Sequence, residues 1–238
     1  MLANQLHRVA HGLISDSQNA FVKGKQILDS ILIASECIDS RLKSGDPGVL
    51  CKLDVEKVYD HVSWDFLMYL LQRCGFSEKL RKWIRYCIST VKFSILINGS
   101  PNDFFRSSRG LQQGDPLSPL LFDIVIEALS HMLDVAASAG QFSGFSVGST
   151  ASPSVMVSHL LFADDALIFC DAEPSQIANL RAILARFEEV SRLRINLGKS
   201  ELVPIGGVTN LEALVGLLGC GAVFSALEIF GPSMRCKI

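Results

Sequence analysis

The elements of this chain read in the order β-α-β-β-α-β, which is an α+β fold with a ferredoxin-like core. Three observations lead there. After the breaker Gly45-Asp46-Pro47-Gly48, Val49-Leu50-Cys51-Lys52-Leu53-Asp54 reads as a strand ending on an acid. His159 to Cys170 reads as a hairpin, two apolar runs flanking Asp164 and Asp165 at the bend. Pro174 then opens a helix carrying Leu180, Ile183, Leu184, Phe187 and Val190, and residues 193–197 form a short last strand. With 238 residues, 49% of them hydrophobic, the chain can fill a substantial core.

The other segments are insertions into that order. The first 45 residues read as an irregular basic-polar lead through Lys25, then a helix with Ile27, Ile31, Ala34 and Ile38 at helical spacing. Ser63 caps a helix that stops at Gly75, and Ser77 opens another with Leu80, Trp83, Ile84, Cys87 and Ile88 on one face. Phe93 to Ile97, Asn98-Gly99 and Phe104-Phe105 make a hairpin. Gly110 to Pro116 is a loop, and Ser118-Pro119 supplies an N-cap and a first-turn proline for a helix to about Leu133. The Gly-, Ser- and Ala-rich stretch 136–154 is a loop.

Net charge is −2, so the whole chain carries no basic signature, yet its charges are segregated. Residues 73–109 hold eight Lys or Arg against two acids, whereas residues 110–180 hold eight acids and no Lys or Arg. A basic block beside an acidic, metal-loaded one suits a protein that grips a phosphate backbone; two differently charged solvated faces explain the segregation equally well. Seven cysteines without a CxxC pair point to a reducing, intracellular compartment rather than a zinc ribbon or disulfide framework. The polar N-terminus is no signal peptide, and the uncharged run 213–227 is too short to span a bilayer, so no membrane association is expected.

Two carboxylates side by side at a buried bend repel one another, and burial makes ionising both costly. A divalent cation removes that penalty, because Mg²⁺ takes oxygen ligands from one or two carboxylates plus substrate phosphates. For the pair alone, ordinary turn chemistry is the better explanation. The element order shifts the balance. It lays the end of the first strand beside the hairpin, so Asp54 meets Asp164 and Asp165 across 110 positions of sequence. Three acids at one sheet end favour a metal site.

Three blocks stand in this order: Lys52-Leu53-Asp54-Val55-Glu56-Lys57-Val58-Tyr59-Asp60, Arg109-Gly110-Leu111-Gln112-Gln113-Gly114-Asp115-Pro116-Leu117-Ser118-Pro119, and Phe162-Ala163-Asp164-Asp165. Together they resemble the reverse transcriptase of plant LINE-type (non-LTR) retrotransposons, over residues 2–219. The resemblance implies a right-hand polymerase with fingers and palm that extends a DNA primer on an RNA template from deoxynucleoside triphosphates. It implies two Mg²⁺, replaceable by Mn²⁺, on Asp54, Asp164 and Asp165, one activating the primer 3′-hydroxyl and the other clamping the triphosphate. Tyr59 stands where the family places an aromatic that crowds a ribose 2′-hydroxyl. Gln113 and Gly114 match the loop along the incoming base and template, and Lys199 a lysine that protonates the leaving pyrophosphate. Tyr59 also reads as a core tyrosine, and Lys199 as a solvated lysine. Lys25 replaces an arginine near the triphosphate, keeping the charge without the bidentate fork. The basic block is expected to contact template–primer phosphates.

Departures from the pattern set further expectations. Val58 replaces an alanine, Gln112 an arginine and Arg192 a glycine. Against the family pattern, Leu218-Gly219-Cys220 is expected to lead into a garbled primer grip at 227–234, with no thumb following. The expected layout is partial fingers over 1–48, palm over 49–205 with inserted fingers elements at about 76–110, and a degenerate tail over 206–238. Such a truncated or decayed copy is expected to be poorly active, or to be a non-catalytic remnant that at most binds RNA or template–primer. An unrelated Mg²⁺-dependent phosphotransferase on the same topology is a weaker reading, disfavoured by Tyr59 and Gln113-Gly114. A nuclear location is expected from the family, without a clear targeting signal.

Overall fold

The computed structural model describes residues 2–20 except 11, 24–56, 58–148 and 154–223. Helices α1 (Leu2–Ala10) and α2 (Ile27–Ser44) precede strand β1 (Gly48–Glu56). Then come α3 (Val58–His61), α4 (Trp64–Arg73), α5 (Glu78–Ser89), the hairpin β2 (Lys92–Ile97) and β3 (Ser100–Arg106), and α6 (Ser118–Ser138). The hairpins β4 (Phe145–Val147) with β5 (Val155–Val157) and β6 (His159–Phe162) with β7 (Asp165–Asp171) follow. The described chain closes with α7 (Pro174–Ser191), β8 (Arg194–Ile195), β9 (Glu201–Ile205), α8 (Leu211–Leu218) and β10 (Gly221–Ala222).

The main sheet runs β10-β9-β1-β7-β6, with β8 pairing the far end of β1. Its middle, β9-β1-β7-β6, is antiparallel throughout and forms the expected β-α-β-β-α-β core with α6 and α7 as its helices. β1 alternates its side chains between two cores. Val49, Cys51, Leu53 and Val55 pack into the larger core with Leu121, Phe122 and Phe187 of α6 and α7. Leu50 joins Phe169, Leu160 and Val203 beneath Ala34 and Ile38 of α2. A strand covered on both faces reads as a near-continuous apolar run, which is why 49–53 is legible in sequence.

Register is pinned at the end of β1 away from the acids. Arg41 donates to the Asp171 carboxylate and to Pro47 O (2.8 Å), and its guanidinium lies 4.9 Å from the Phe145 ring centroid. A Cβ on Gly48 would come within 2.7 Å of that ring, so only glycine lets Phe145 cover the strand start. Gly48 faces Asp171, and six residues further on Asp54 faces Asp165.

Several expectations change. The fourth core strand is β9, not 193–197. A turn at Asn196, closed by Lys199 N–H and Ser200 N–H on its carbonyl (3.0 and 2.9 Å), limits β8 to two residues. The polar lead contains α1, whose Leu6 is buried. Ser118 is the first helical residue rather than the cap, because Asp115 accepts Leu117 N–H on its carboxylate (2.9 Å) and Ser118 N–H on its carbonyl (3.1 Å), starting the turn earlier. α6 runs to Ser138, and β4 lies inside the stretch read as loop, pairing with β5 just beyond it. α5 buries Ile84 and Ile88 but turns Trp83 and Cys87 outward, a narrower face than expected. The segment 206–223 holds α8, with Leu211, Leu214 and Leu218 packed into the larger core, and β10. The primer-grip expectation at 227–234 and the Val58 side chain lie outside the described residues. No described helix is long and apolar enough to cross a membrane.

Candidate active site

The β6–β7 hairpin turns tightly through Ala163 and Asp164, with Phe162 paired to Asp165. Ala163 has φ +53°, the positive value that the first central residue of a II′ turn requires, so a non-glycine residue carries strain at the bend. The turn is stitched to β1, since Val55 N–H donates to Asp164 O (3.2 Å). Asp54 is held from its other side: its N–H donates to the fully buried Ser200 Oγ (3.2 Å), and its carbonyl accepts Asn196 N–H (2.8 Å). Two loops distant in sequence therefore fix the backbone on which the first acid sits.

The expected convergence of Asp54, Asp164 and Asp165 takes the form of a facing pair. Asp54 and Asp165 are direct cross-strand partners, both half-buried, and Asp164 is exposed at the turn beside them. Among the described residues, no three His, Cys, Asp or Glu side chains form a preassembled metal cage. Like-charged carboxylates have no reason to close up without a cation between them. The donor set is hard oxygen, which suits Mg²⁺ or Mn²⁺ rather than a soft-ligand metal. Neither Asp54 nor Asp164 is in an ion pair with a described Lys or Arg, so their charge is left for a cation to neutralise.

Tyr59 lies on the short α3, half-buried, with its ring 5.4 Å from that of Phe122. Its phenol pKa is raised by burial, then by the carboxylates of Asp123 and Asp164, which places it between α6 and the hairpin turn. A strap after β3 holds α3 in place. Gly110 N–H donates to Val62 O (2.9 Å), Leu111 N–H to Tyr59 O (2.5 Å), and the Trp64 indole N–H to Gly110 O (2.6 Å). Gly110 has φ +85°, and a Cβ there would lie 2.7 Å from Asp60 O, so the approach needs glycine. The strap leads into Gln113 and Gly114, an exposed turn with Gly114 at φ +87° and open space beside its Cα.

Two expected site residues are placed differently from the acids. Lys199 is exposed, next to the Ser200 that holds Asp54. Lys25 directs its ammonium at Ser15 O and Gln18 O (3.0 Å each) and at Asp16 (3.4 Å). That clip closes the segment pairing with the hairpin: Leu161 N–H donates to Ser17 O (2.7 Å), and Asn19 N–H to Leu161 O (3.0 Å).

Sequence reading missed a polar stripe on α6. Asp123, Glu127, Ser130 and Asp134 recur at helical spacing within an otherwise apolar helix, a periodicity visible in the sequence. Glu127 and Ser130 meet Ser15 Oγ (3.2 and 3.1 Å), and Ser130 Oγ meets Nε2 of the buried His159 (2.7 Å). Asp123 is fully buried with neither carboxyl oxygen hydrogen-bonded. Burial, then Glu127, pushes its pKa up to about 8.

The chain is similar to known proteins over most of its length. The family profile described as reverse transcriptase (RNA-dependent DNA polymerase) matches residues 1–212, and the chain belongs to that family. It is 29% identical over 221 residues to a Pol polyprotein of the type-1 retrotransposable element R2 of Popillia japonica, covering 87% of this chain and 30% of that protein. It is 27% identical over 189 residues to the R2 Pol polyprotein of Nasonia vitripennis, covering 79% of this chain and 17% of that one. The chain thus spans less than a third of these two relatives. An uncharacterised mitochondrial protein of Arabidopsis thaliana is 49% identical over 70 residues, 29% of this chain and 55% of that protein. Among solved structures, telomerase from Candida albicans in complex with a fragment of telomeric RNA superposes with TM-score 0.64 at 15% identity, over 84% of this chain and 34% of that one. Apo telomerase from Candida tropicalis gives 0.63 at 13% identity, over 88% of this chain and 41% of that one. The fold is the fingers-and-palm fold of these polymerases.

Proposed function

We propose that this chain is the fingers-and-palm part of an RNA-directed DNA polymerase of a LINE-type non-LTR retrotransposon, of the plant kind, that extends a DNA 3′-hydroxyl on an RNA template. The observation that carries the reading is the register of β1 against β7, which sets Asp54 opposite Asp165 with Asp164 at the strained turn. In this reading Asp54, Asp164 and Asp165 hold two divalent cations. The ions supply Lewis-acid activation of the primer hydroxyl and neutralisation of the triphosphate. The chain's own residues do the rest. Tyr59, wedged against Phe122, crowds the 2′ position of an incoming sugar. The Gln113-Gly114 turn lies along the base and template, and Lys199 delivers a proton to the departing pyrophosphate. Lys25 contributes through its clip on 15–18, steadying the strand beside the hairpin, rather than through the triphosphate.

Primer extension with deoxy- and ribonucleoside triphosphates tests the roles. Mg²⁺ or Mn²⁺ is expected to support incorporation, and a chelator to abolish it. Tyr59→Ala is expected to raise ribonucleotide incorporation about tenfold or more relative to deoxynucleotide, since one crowded contact is worth about 1–3 kcal/mol of discrimination. Unchanged sugar preference in an active Tyr59→Ala variant would remove Tyr59 from the site. Folded protein that binds template–primer and never extends it would replace the proposal with the non-catalytic remnant.

A further inference from the structure

Much of the basic block faces solvent together with aromatic rings. On α5, Lys79, Lys82, Trp83 and Tyr86 stand at i, i+3, i+4 and i+7, one face of the helix, opposite the buried Ile84 and Ile88. Trp83 is 49% and Tyr86 69% exposed. Lys79 Nζ lies 5.0 Å from the Trp83 ring centroid, and the Lys82–Glu78 pair on this face is solvent-exposed. Two residues after α5 ends, the β2–β3 hairpin repeats the chemistry. Lys92 faces Arg106, and Ser94 faces Phe104, which is 71% exposed. Alternation along the strands puts these residues on one side of the hairpin.

Monomeric proteins seldom leave so many large rings in water without a use for them. Charge selects the occupant. Residues 73–109 carry eight cations and two acids, an excess that repels a second copy of the same surface and attracts a polyanion. A nucleic acid with free base faces fits both halves, since every base has a π-face for an aromatic side chain while the backbone follows the cations. A duplex hides those faces. We propose that the outward stripe of α5 and the Lys92–Phe104 side of the β2–β3 hairpin bind a single-stranded nucleic-acid segment. Its bases stack on Trp83, Tyr86 and Phe104, and its phosphates lie on Lys79, Lys82, Lys92 and Arg106. This deepens the polymerase reading, on which it rests only for naming the strand as template outside the copied duplex.

The test needs no chemistry. The chain has two tryptophans, and the indole of the other, Trp64, is tied to Gly110 O. Titration with short oligo(rU) at low salt is expected to quench Trp83 emission to saturation, with oligo(dT) as the DNA arm and a blunt duplex as the control. Tyr86→Ala and Phe104→Ala are expected to weaken binding roughly tenfold each at unchanged Tm. Lys79→Gln is expected to flatten the log–log salt dependence by about 0.7. Binding of oligo(rU) alone or of both single strands supports the surface, the difference naming the sugar it accepts. No quenching, tighter binding of the duplex, or a dimer dissolved by Trp83→Ala overturns it. Quenching without primer extension would overturn the polymerase reading and leave this surface standing; extension without quenching would do the reverse.

Discussion

Asp123 shows how one side chain can make stability depend on pH. Its carboxyl, ordinarily near 3.8, is held protonated up to about 8 by burial and by Glu127. Between those values the folded chain keeps a proton that the unfolded chain releases, so stability falls as pH rises through that window and levels off above it. Tyr59 and Asp164 face the same region, and Glu127 shares the helix face. Asp123→Asn imitates the protonated acid. Urea unfolding should show it at least about 1 kcal/mol more stable than wild type near pH 8.5 and nearly equal near pH 3, below the window. Equal stability at both would mean that the carboxyl finds a partner on ionisation. Ala163 makes a second case. With φ +53° at the turn, Ala163→Gly should gain up to about 1 kcal/mol of stability, and Ala163→Val should lose more than that by thermal melting.

At the scale of elements, the candidate site is assembled by short straps. Gly110 and Leu111 tie α3 to the loop after β3, so Tyr59 and the Gln113-Gly114 turn are carried on one hydrogen-bonded unit. Gly110→Ala should cost more than about 2 kcal/mol, because a Cβ would press on the Asp60 carbonyl at a φ that alanine resists. Trp64→Phe keeps a ring but leaves Gly110 O without its indole donor, an expected loss of about 1 kcal/mol with weaker deoxynucleotide binding, read as a raised KM. The capped helices α4 and α5 were legible because Ser63 and Ser77 accept Phe66 N–H (3.3 Å) and Leu80 N–H (3.4 Å), purely local chemistry. The straps were not legible, because they join carbonyls and amides whose partners lie tens of residues away and leave no residue pattern beyond a glycine.

At the scale of the whole molecule, β1 and the β6–β7 hairpin were readable from apolar runs covered on both faces. Their juxtaposition, and with it the Asp54–Asp165 pair, followed from element order. β9 and β10 escaped because a two-residue β8 hands β1 over to β9 through the turn at Asn196, and that exchange of partners is decided by packing of Leu202, Val203 and Ile205 rather than by propensity. The Asp123–Glu127–Ser130 stripe was visible but unread, since one polar row hardly perturbs so apolar a helix. The central claim joins these scales: a sheet register fixed far away at Gly48 and Arg41 brings together the three acids of the proposed polymerase centre. Primer extension on poly(rA)/oligo(dT) with Mg²⁺ or Mn²⁺, comparing the wild-type chain with Asp164→Asn/Asp165→Asn at matched template–primer occupancy, tests it most directly. The account predicts extension by the wild type and at least a thousandfold loss, about 4 kcal/mol, in the double variant. Equal extension by both proteins would contradict it.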